Sequence, residues 1–215
     1  MKIYDVSMTI SPDIQVYKNK EEKKPIFSVA SSFETGSTYE TNVTLNLHTG
    51  THLDFPLHVS KNGKNANSLD LSSLIRCVKV LDLTHVIDHI STTDLEKFDI
   101  QPHDFLLFKT KNSYEEAFNF NFIYLEEKAA IYLKNKGIKG VGIDALGIER
   151  NQAGHKTHHA LLDNDILIIE GLRLKDVTEG TYMMYANPIK MKDVEALLLS
   201  VILIEGDYDT TSNIR

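Results

Sequence analysis

A single cysteine, Cys77, leaves the 215-residue chain without a partner for an intrachain disulfide. The fold must be held by its core, and a reducing, cytoplasmic setting is expected. Cys77 lies in the apolar run 74–81 and reads as a small buried residue of a core strand. Tryptophan is absent altogether, so no indole can line a pocket. Basic residues are outnumbered 23 to 30, for a net charge of −7. That balance excludes a general nucleic-acid binder, which needs a cationic surface to neutralise phosphates. No apolar run approaches the roughly 20 residues of a membrane helix. The opening Met1–Asp5 carries no apolar signal core, so no membrane partner is expected.

What is present reads as one domain over residues 1–215. Repeats and low-complexity tracts are lacking. The charge-rich stretch 18–24 reads as a solvated loop. Residues 42–48 alternate, with Val43, Leu45 and Leu47 apolar and Asn42, Thr44, Asn46 and His48 polar. That period of two predicts a half-buried strand delivering His48 on its polar face. Further strands are expected at Lys79–Leu83, Phe105–Lys109, Val141–Ile143, Ile166–Ile169 and Leu198–Ile204. Leu125, Ala129, Tyr132 and Leu133 fall on one helical face, predicting a helix over Tyr124–Lys136 that stops at Gly137. A shorter helix is expected over Ser68–Leu74. Strands outnumber helices, so the fold class is α/β: a strand-rich domain with a mixed sheet.

Nine histidines occur in the chain, and three of them stand with an aspartate inside eleven residues. The segment runs His48-Thr49-Gly50-Thr51-His52-Leu53-Asp54-Phe55-Pro56-Leu57-His58. Imidazole and carboxylate are ordinary ligands of a borderline divalent ion such as Zn²⁺. A helix would turn Asp54 and His58 away from His48 and His52. A straight strand would set His48 roughly 13 Å from His52, too far for one ion. The chain must enter as a strand, turn near Gly50 and stay irregular to Pro56. Glycine tolerates the positive φ such a turn demands. Thr49 and Thr51 are placed to brace it. His85, His89 and His103 lie in polar surroundings and read as surface residues. A second group, His155, His158 and His159, precedes Ile166–Ile169. Glu170 then follows four apolar residues directly, where a buried strand end would need a partner for its charge.

The His-x-Gly-Thr-His-x-Asp-x-Pro-x-His pattern at 48–58 resembles the signature of the cyclase-like metal-dependent hydrolases, which include the bacterial kynurenine formamidases. Tyr4–Ser7 is similar to the family's first strand, and Gly142-Ile143-Asp144 to its Gly-Ile/Val-Asp segment. His158 with Leu161-Leu162, then Ile168–Leu172, resembles its later ligand block, and Asn187–Lys190 its late Pro-Leu-Lys element. The resemblance implies a swivelling β/β/α fold and a homo-oligomer, a dimer or tetramer. It implies that His48, His52 and Asp54 hold one metal and that Asp54, His158 and Glu170 hold a second. His58 would be the proton donor and acceptor. The substrate region departs from the pattern. Gln15–Lys20 stands where formamidases carry a tryptophan that contacts substrate, which makes Tyr17 the candidate substrate contact. His159 stands where arginine is common, and 193–201 lacks the usual Gly-x-Pro-x-Arg.

Five ligands overfill one open catalytic site and suit two bridged ions. Two Zn²⁺ fit the mixed N/O donors best, with Mn²⁺, Fe²⁺ or Co²⁺ as alternatives. The expected chemistry is hydrolysis of a small-molecule amide, an aryl formamide such as N-formylkynurenine, by activated water. The alternatives are a related hydrolase acting on another cyclic or aromatic amide or lactam, and a metal-binding homologue without catalysis.

Overall fold

Strands dominate the computed structural model, which describes residues 1–206. In chain order they are β1 (Lys2–Asp5), β2 (Ile26–Ser31), β3 (Glu40–Thr44), β4 (His52–Asp54), β5 (Ile75–Asp82) and β6 (His89–Ile90). There follow β7 (Phe105–Lys109), β8 (Tyr124–Leu125), β9 (Gly140–Ile143), β10 (Leu167–Glu170), β11 (Gly180–Pro188) and β12 (Ala196–Glu205). Three α-helices accompany them: α1 (Thr92–Leu95), α2 (Glu127–Lys136) and α3 (Lys156–Leu162).

Seven strands close a mixed barrel in the order β4-β12-β11-β5-β7-β9-β10, with β10 pairing back onto β4. β5, β7, β9 and β10 run parallel. β4, β11 and β12 run antiparallel to their neighbours. β1 joins β12 as an eighth strand. The run Phe105-Leu106-Leu107-Phe108 shows why β7 sits centrally, since all four side chains are buried. Phe105 and Leu107 fill the barrel with Leu53, Val80, Ile169, Met184 and Leu199. Leu106 and Phe108 face outward onto Ala129 and Leu133 of α2 and Leu161 of α3. A strand covered on both faces reads as a continuous apolar run.

The five expected strands all exist, each extended or shifted by a few residues at most. Gly137 ends α2 with φ 75° as anticipated. Other expectations need correction. The strand predicted over 42–48 stops at Thr44, because β3 pairs only with β2 in a hairpin that stands off the barrel. Among the described residues nothing covers either of its faces, so the alternation does not mark half-burial, and His48 sits in a turn. The segment 48–58 is not irregular to Pro56: His52–Asp54 is a fully buried strand clamped between β10 and β12. The predicted helix loses its first turn, since Tyr124–Leu125 pairs in parallel with β6. Ser68–Leu74 forms two 3₁₀ turns, Ala66–Ser68 and Leu71–Leu74, capped by the side chains of Asn65 and Asp70. These side-chain bonds compete with a continuous α-helix. Cys77 is on β5 as expected but only half-buried.

Candidate metal centre

β4 brings His52 and Asp54 to the barrel wall, paired with Glu170 and Ile168 of β10. The turn before it delivers His48, and the 3₁₀ turn Pro56–His58 after it delivers His58. Two glycines make this possible. Gly50 turns with φ 68°, and Gly171, directly after Glu170, has φ 71°. A Cβ at Gly171 would press into the Gly50 backbone, so the two chain segments approach this closely only because Gly171 lacks a side chain. Thr51 pins the contact: its hydroxyl donates to the Gly171 carbonyl (2.7 Å) and accepts from the Met8 amide (2.8 Å). The Thr49 hydroxyl donates to the Lys23 carbonyl, 3.3 Å away. Both threonines therefore brace the turn.

Around Asp54 the donor atoms converge. Its Oδ1 lies 3.1 Å from His48 Nδ1 and 3.4 Å from His52 Nε2. Its Oδ2 lies 3.6 Å from His158 Nε2. Glu170 spans the other side, with Oε2 3.3 Å from His52 Nε2 and Oε1 3.5 Å from His158 Nε2. A tetrahedral ion with bonds of about 2.0–2.1 Å sets its ligand atoms about 3.3–3.4 Å apart, so these separations are those of a coordination shell. Among the described residues, His52 Nε2 and both Asp54 oxygens are buried with no hydrogen-bond partner. Orphaned buried groups of this kind are costly unless a cation satisfies them. The residues present fit a divalent metal.

Protonation tells the same story. Desolvation alone would lower the His52 pKa, but Asp54 and Glu170 outweigh it and push it up to about 10. His158 is likewise raised well above its ordinary value, against desolvation, by Asp54, Glu149 and Glu170. Asp54 is held well below the usual carboxylate range by the surrounding imidazoles, again against desolvation. Without metal, protons on imidazole thus supply the positive charge that a cation would otherwise bring.

His58 differs from the other three imidazoles. Its ring centroid is 4.1 Å from that of His48 and 5.6 Å from that of His158. Desolvation lowers its pKa, opposed by Asp54 and reinforced by His48. Together with Tyr17, Lys23, His48, Glu149 and Glu170 it lines a cavity of about 380 Å³. Tyr17 stands edge-on to Phe118 and Phe122, with centroids 5.2 and 6.3 Å away. His85 and His103 are exposed and His89 is partly so. Asp144, from the Gly-Ile-Asp segment, serves the scaffold instead: its carboxylate accepts from the amides and hydroxyls of Thr110 and Ser113.

With this geometry in view, comparison with known proteins decides the family. The family model described as a putative cyclase matches residues 4–150. The chain belongs to the putative cyclase family. A kynurenine formamidase of Erythrobacter litoralis is 31% identical over 209 residues, covering 95% of this chain and 94% of the relative. The solved structure of a "predicted metal-dependent hydrolase" from Bacillus stearothermophilus is 48% identical. It superposes with a TM-score of 0.86 over 94% of this chain and 97% of that one. Isatin hydrolase A from Labrenzia aggregata shares the fold at 20% identity, with a TM-score of 0.81 over 94% of this chain and 93% of that one. The cyclase-family chain is thus a metal-dependent hydrolase of the class that cleaves amide C–N bonds.

Sequence reasoning missed two supporting acids of this site. Glu149 lies 3.1 Å from His158 Nδ1, contacts His155 Nδ1 at 2.9 Å and accepts the Thr157 amide. It turns His158 so that Nε2 faces Asp54. Glu195 lies 3.4 Å from His48 Nε2. The signal for Glu149 was an acid six residues past the end of β9, near the His155–His159 group. Nothing local marks Glu195, which reaches His48 only through the β4–β12 pairing. His52 needs no such acid, because its Nδ1–H donates to the Gly50 carbonyl at 2.9 Å, leaving Nε2 for the centre.

Proposed function

We propose that this chain hydrolyses the C–N bond of an aryl formamide such as N-formylkynurenine, releasing formate and the free arylamine. The observation that carries the reading is Asp54, whose two orphaned oxygens face two different imidazole groups. In our reading Asp54, His48 and His52 would hold one cation, and Asp54, His158 and Glu170 would hold a second. Two Zn²⁺ ions would suit these nitrogen and oxygen donors. Cations held there would activate water and polarise the carbonyl.

The chain's own residues do the rest. Among the described residues His58 has no carboxylate within ion-pair distance, so it is the one imidazole of the group free to change its proton. It takes the proton of the attacking water and returns it to the leaving nitrogen, since an amine leaves poorly as an anion. Tyr17 forms the wall against which an aromatic ring packs. The test is metal analysis of the purified protein beside turnover of N-formylkynurenine. We expect about two zinc ions per chain, activity lost on chelation and activity restored by zinc. A metal-replete protein that turns over no formamide would overturn the reading and favour a lactam or a non-catalytic role.

A homodimer in the cytoplasm is part of the same proposal. The β2–β3 hairpin supports the dimer. Phe27 sits opposite Val43 in its register, Val29 follows on the same face, and all three are exposed. The Phe33 and Tyr39 rings lie 6.4 Å apart and are also exposed. A lone two-stranded ribbon is marginal in water, and a contiguous exposed apolar face marks an interaction surface. Phe27→Ser combined with Val43→Ser should convert a dimer to a folded monomer, read by light scattering. An unchanged mass would detach the hairpin from assembly.

A further inference from the structure

The stretch 18–24 carries four lysines that sequence alone treats as solvated, yet they fall into two kinds. Lys20 and Lys24 pair with Glu22 and Glu21 at the surface, at 3.7 and 2.8 Å. Lys18 and Lys23 instead line the cavity beside the metal centre. Lys18 is spoken for, because its ammonium donates to Asn151 Oδ1 at 2.7 Å. Lys23 is not: among the described residues no carboxylate lies within ion-pair distance of it. Its ammonium stands 5.6 Å from the Tyr17 ring centroid. Glu170, on the same cavity wall, has both oxygens turned to His52, His158 and the Ile148 amide. Burial, with Lys20 and Lys18 nearby, depresses the Lys23 pKa against the opposing pull of Glu170 and Glu22.

The position is held from both ends. The Lys23 carbonyl accepts from Thr49, the residue after His48. Upstream, Lys18 and Asn19 adopt φ of 61° and 51°, conformations that non-glycine residues hold only when their surroundings impose them. The loop is thereby fixed against the turn that carries the centre. A partly desolvated ammonium, unpaired and facing a cavity of ligand size, is offset by an anion entering with the ligand. One unpaired charge beside Leu146, Gly147 and the Tyr17 ring suits a singly charged carboxylate on a largely apolar body.

We propose that Lys23 forms an anion-recognising subsite, so that the preferred substrate is an aryl amide carrying a carboxylate away from the scissile bond. The inference rests on the amide-hydrolase reading for its kinetic arm but not for its binding arm. This subsite separates carboxylate-bearing formamides from neutral lactams.

The test compares an aryl formamide bearing a carboxylate side chain with the matched neutral carboxamide, on the zinc-loaded protein and its Lys23→Met and Lys23→Arg variants. Wild type should favour the carboxylate in kcat/KM by about 10- to 100-fold, the range of a charge-assisted hydrogen bond. Lys23→Met should raise KM for the carboxylate about tenfold or more, leave kcat within about twofold and leave the neutral substrate unchanged. Lys23→Arg should keep most of the preference. Equal losses on both substrates, or none on either, would overturn the subsite. The second arm is calorimetric binding of the carboxylate-bearing product amine and its carboxamide, which requires no turnover. The Met variant should lose affinity for the carboxylate alone, and equal affinities in wild type and variant would overturn the proposal. Carboxylate-selective binding without hydrolysis would sink the amide-hydrolase reading while leaving the subsite standing.

Discussion

Replacing His58 with Asn should lower kcat by about 100- to 10,000-fold, the usual worth of a positioned proton-transfer group, while the metal content stays at the wild-type level. The two halves of that expectation come from different features. His48, His52, Asp54, His158 and Glu170 surround the orphaned atoms, whereas the His58 ring lies tilted against His48 with centroids 4.1 Å apart and, among the described residues, makes no ion pair. Its removal leaves every short contact of the centre in place. Asn matches the imidazole in polarity but cannot take up a proton near neutral pH. The sign of the pH effect also follows. Desolvation lowers the His58 pKa, so the neutral, proton-accepting form persists to lower pH than for a free imidazole. The acid limb of kcat/KM should therefore fall below about pH 6.5 and should vanish in the Asn variant. Wild-type turnover by a metal-replete His58→Asn protein would remove His58 from the chemistry.

Much of this centre was legible before any coordinates, for a definite reason. Sequence spacing constrains local geometry, and 48–58 is a local device: one turn at Gly50 and one at Pro56 around a three-residue strand. The requirement for a bend follows from strand rise alone, and Gly50 supplies it. What misled was the alternation over 42–48. A period of two reports which residues share a face, not whether anything covers that face. Here Val43 pairs with Phe27 across the hairpin and stays exposed. Conversely, β4 is too short to show any period, and it exists because β10 and β12 trap it from both sides. Helix α3 escaped notice because its histidines interrupt the apolar pattern, although Leu161 and Leu162 are buried beneath it. The roles of Glu149 and Glu195 are tertiary, since each touches a histidine that another element supplies. The lysine stretch shows the same limit: composition gives its charge, but only packing separates the paired Lys20 and Lys24 from Lys23.

The other large effect belongs to Asp54→Asn. The change keeps the shape of the side chain and removes its charge, in a residue with no hydrogen-bond donor to lose. Oδ1 faces His48 and His52, and Oδ2 faces His158, so the swap would replace the oxygen facing one half with an amide nitrogen and leave the other half only a neutral carbonyl oxygen. An amide nitrogen cannot coordinate a hard or borderline cation as a carboxylate oxygen does. Zinc per chain should fall below one, and turnover should fall by about 1,000-fold or more, toward background. Stability gives a readout free of catalysis. A ligand at about 100 to 1,000 times its Kd stabilises a fold by about 2.7–4.1 kcal/mol, which is about 5–15 °C in Tm for a chain of this size. Wild type should show that rise on zinc addition, and Asp54→Asn should show almost none. Proton release checks the same point independently. His52, with its pKa pushed up to about 10, carries a proton at neutral pH that an incoming cation must expel. Titrating zinc in two buffers of different ionisation enthalpy should reveal that release in wild type. Asp54→Asn removes the leading cause that raises His52, so less proton is held and less is released. An Asn variant that still binds two ions, with an unchanged rise in Tm, would show that Asp54 is not the bridge.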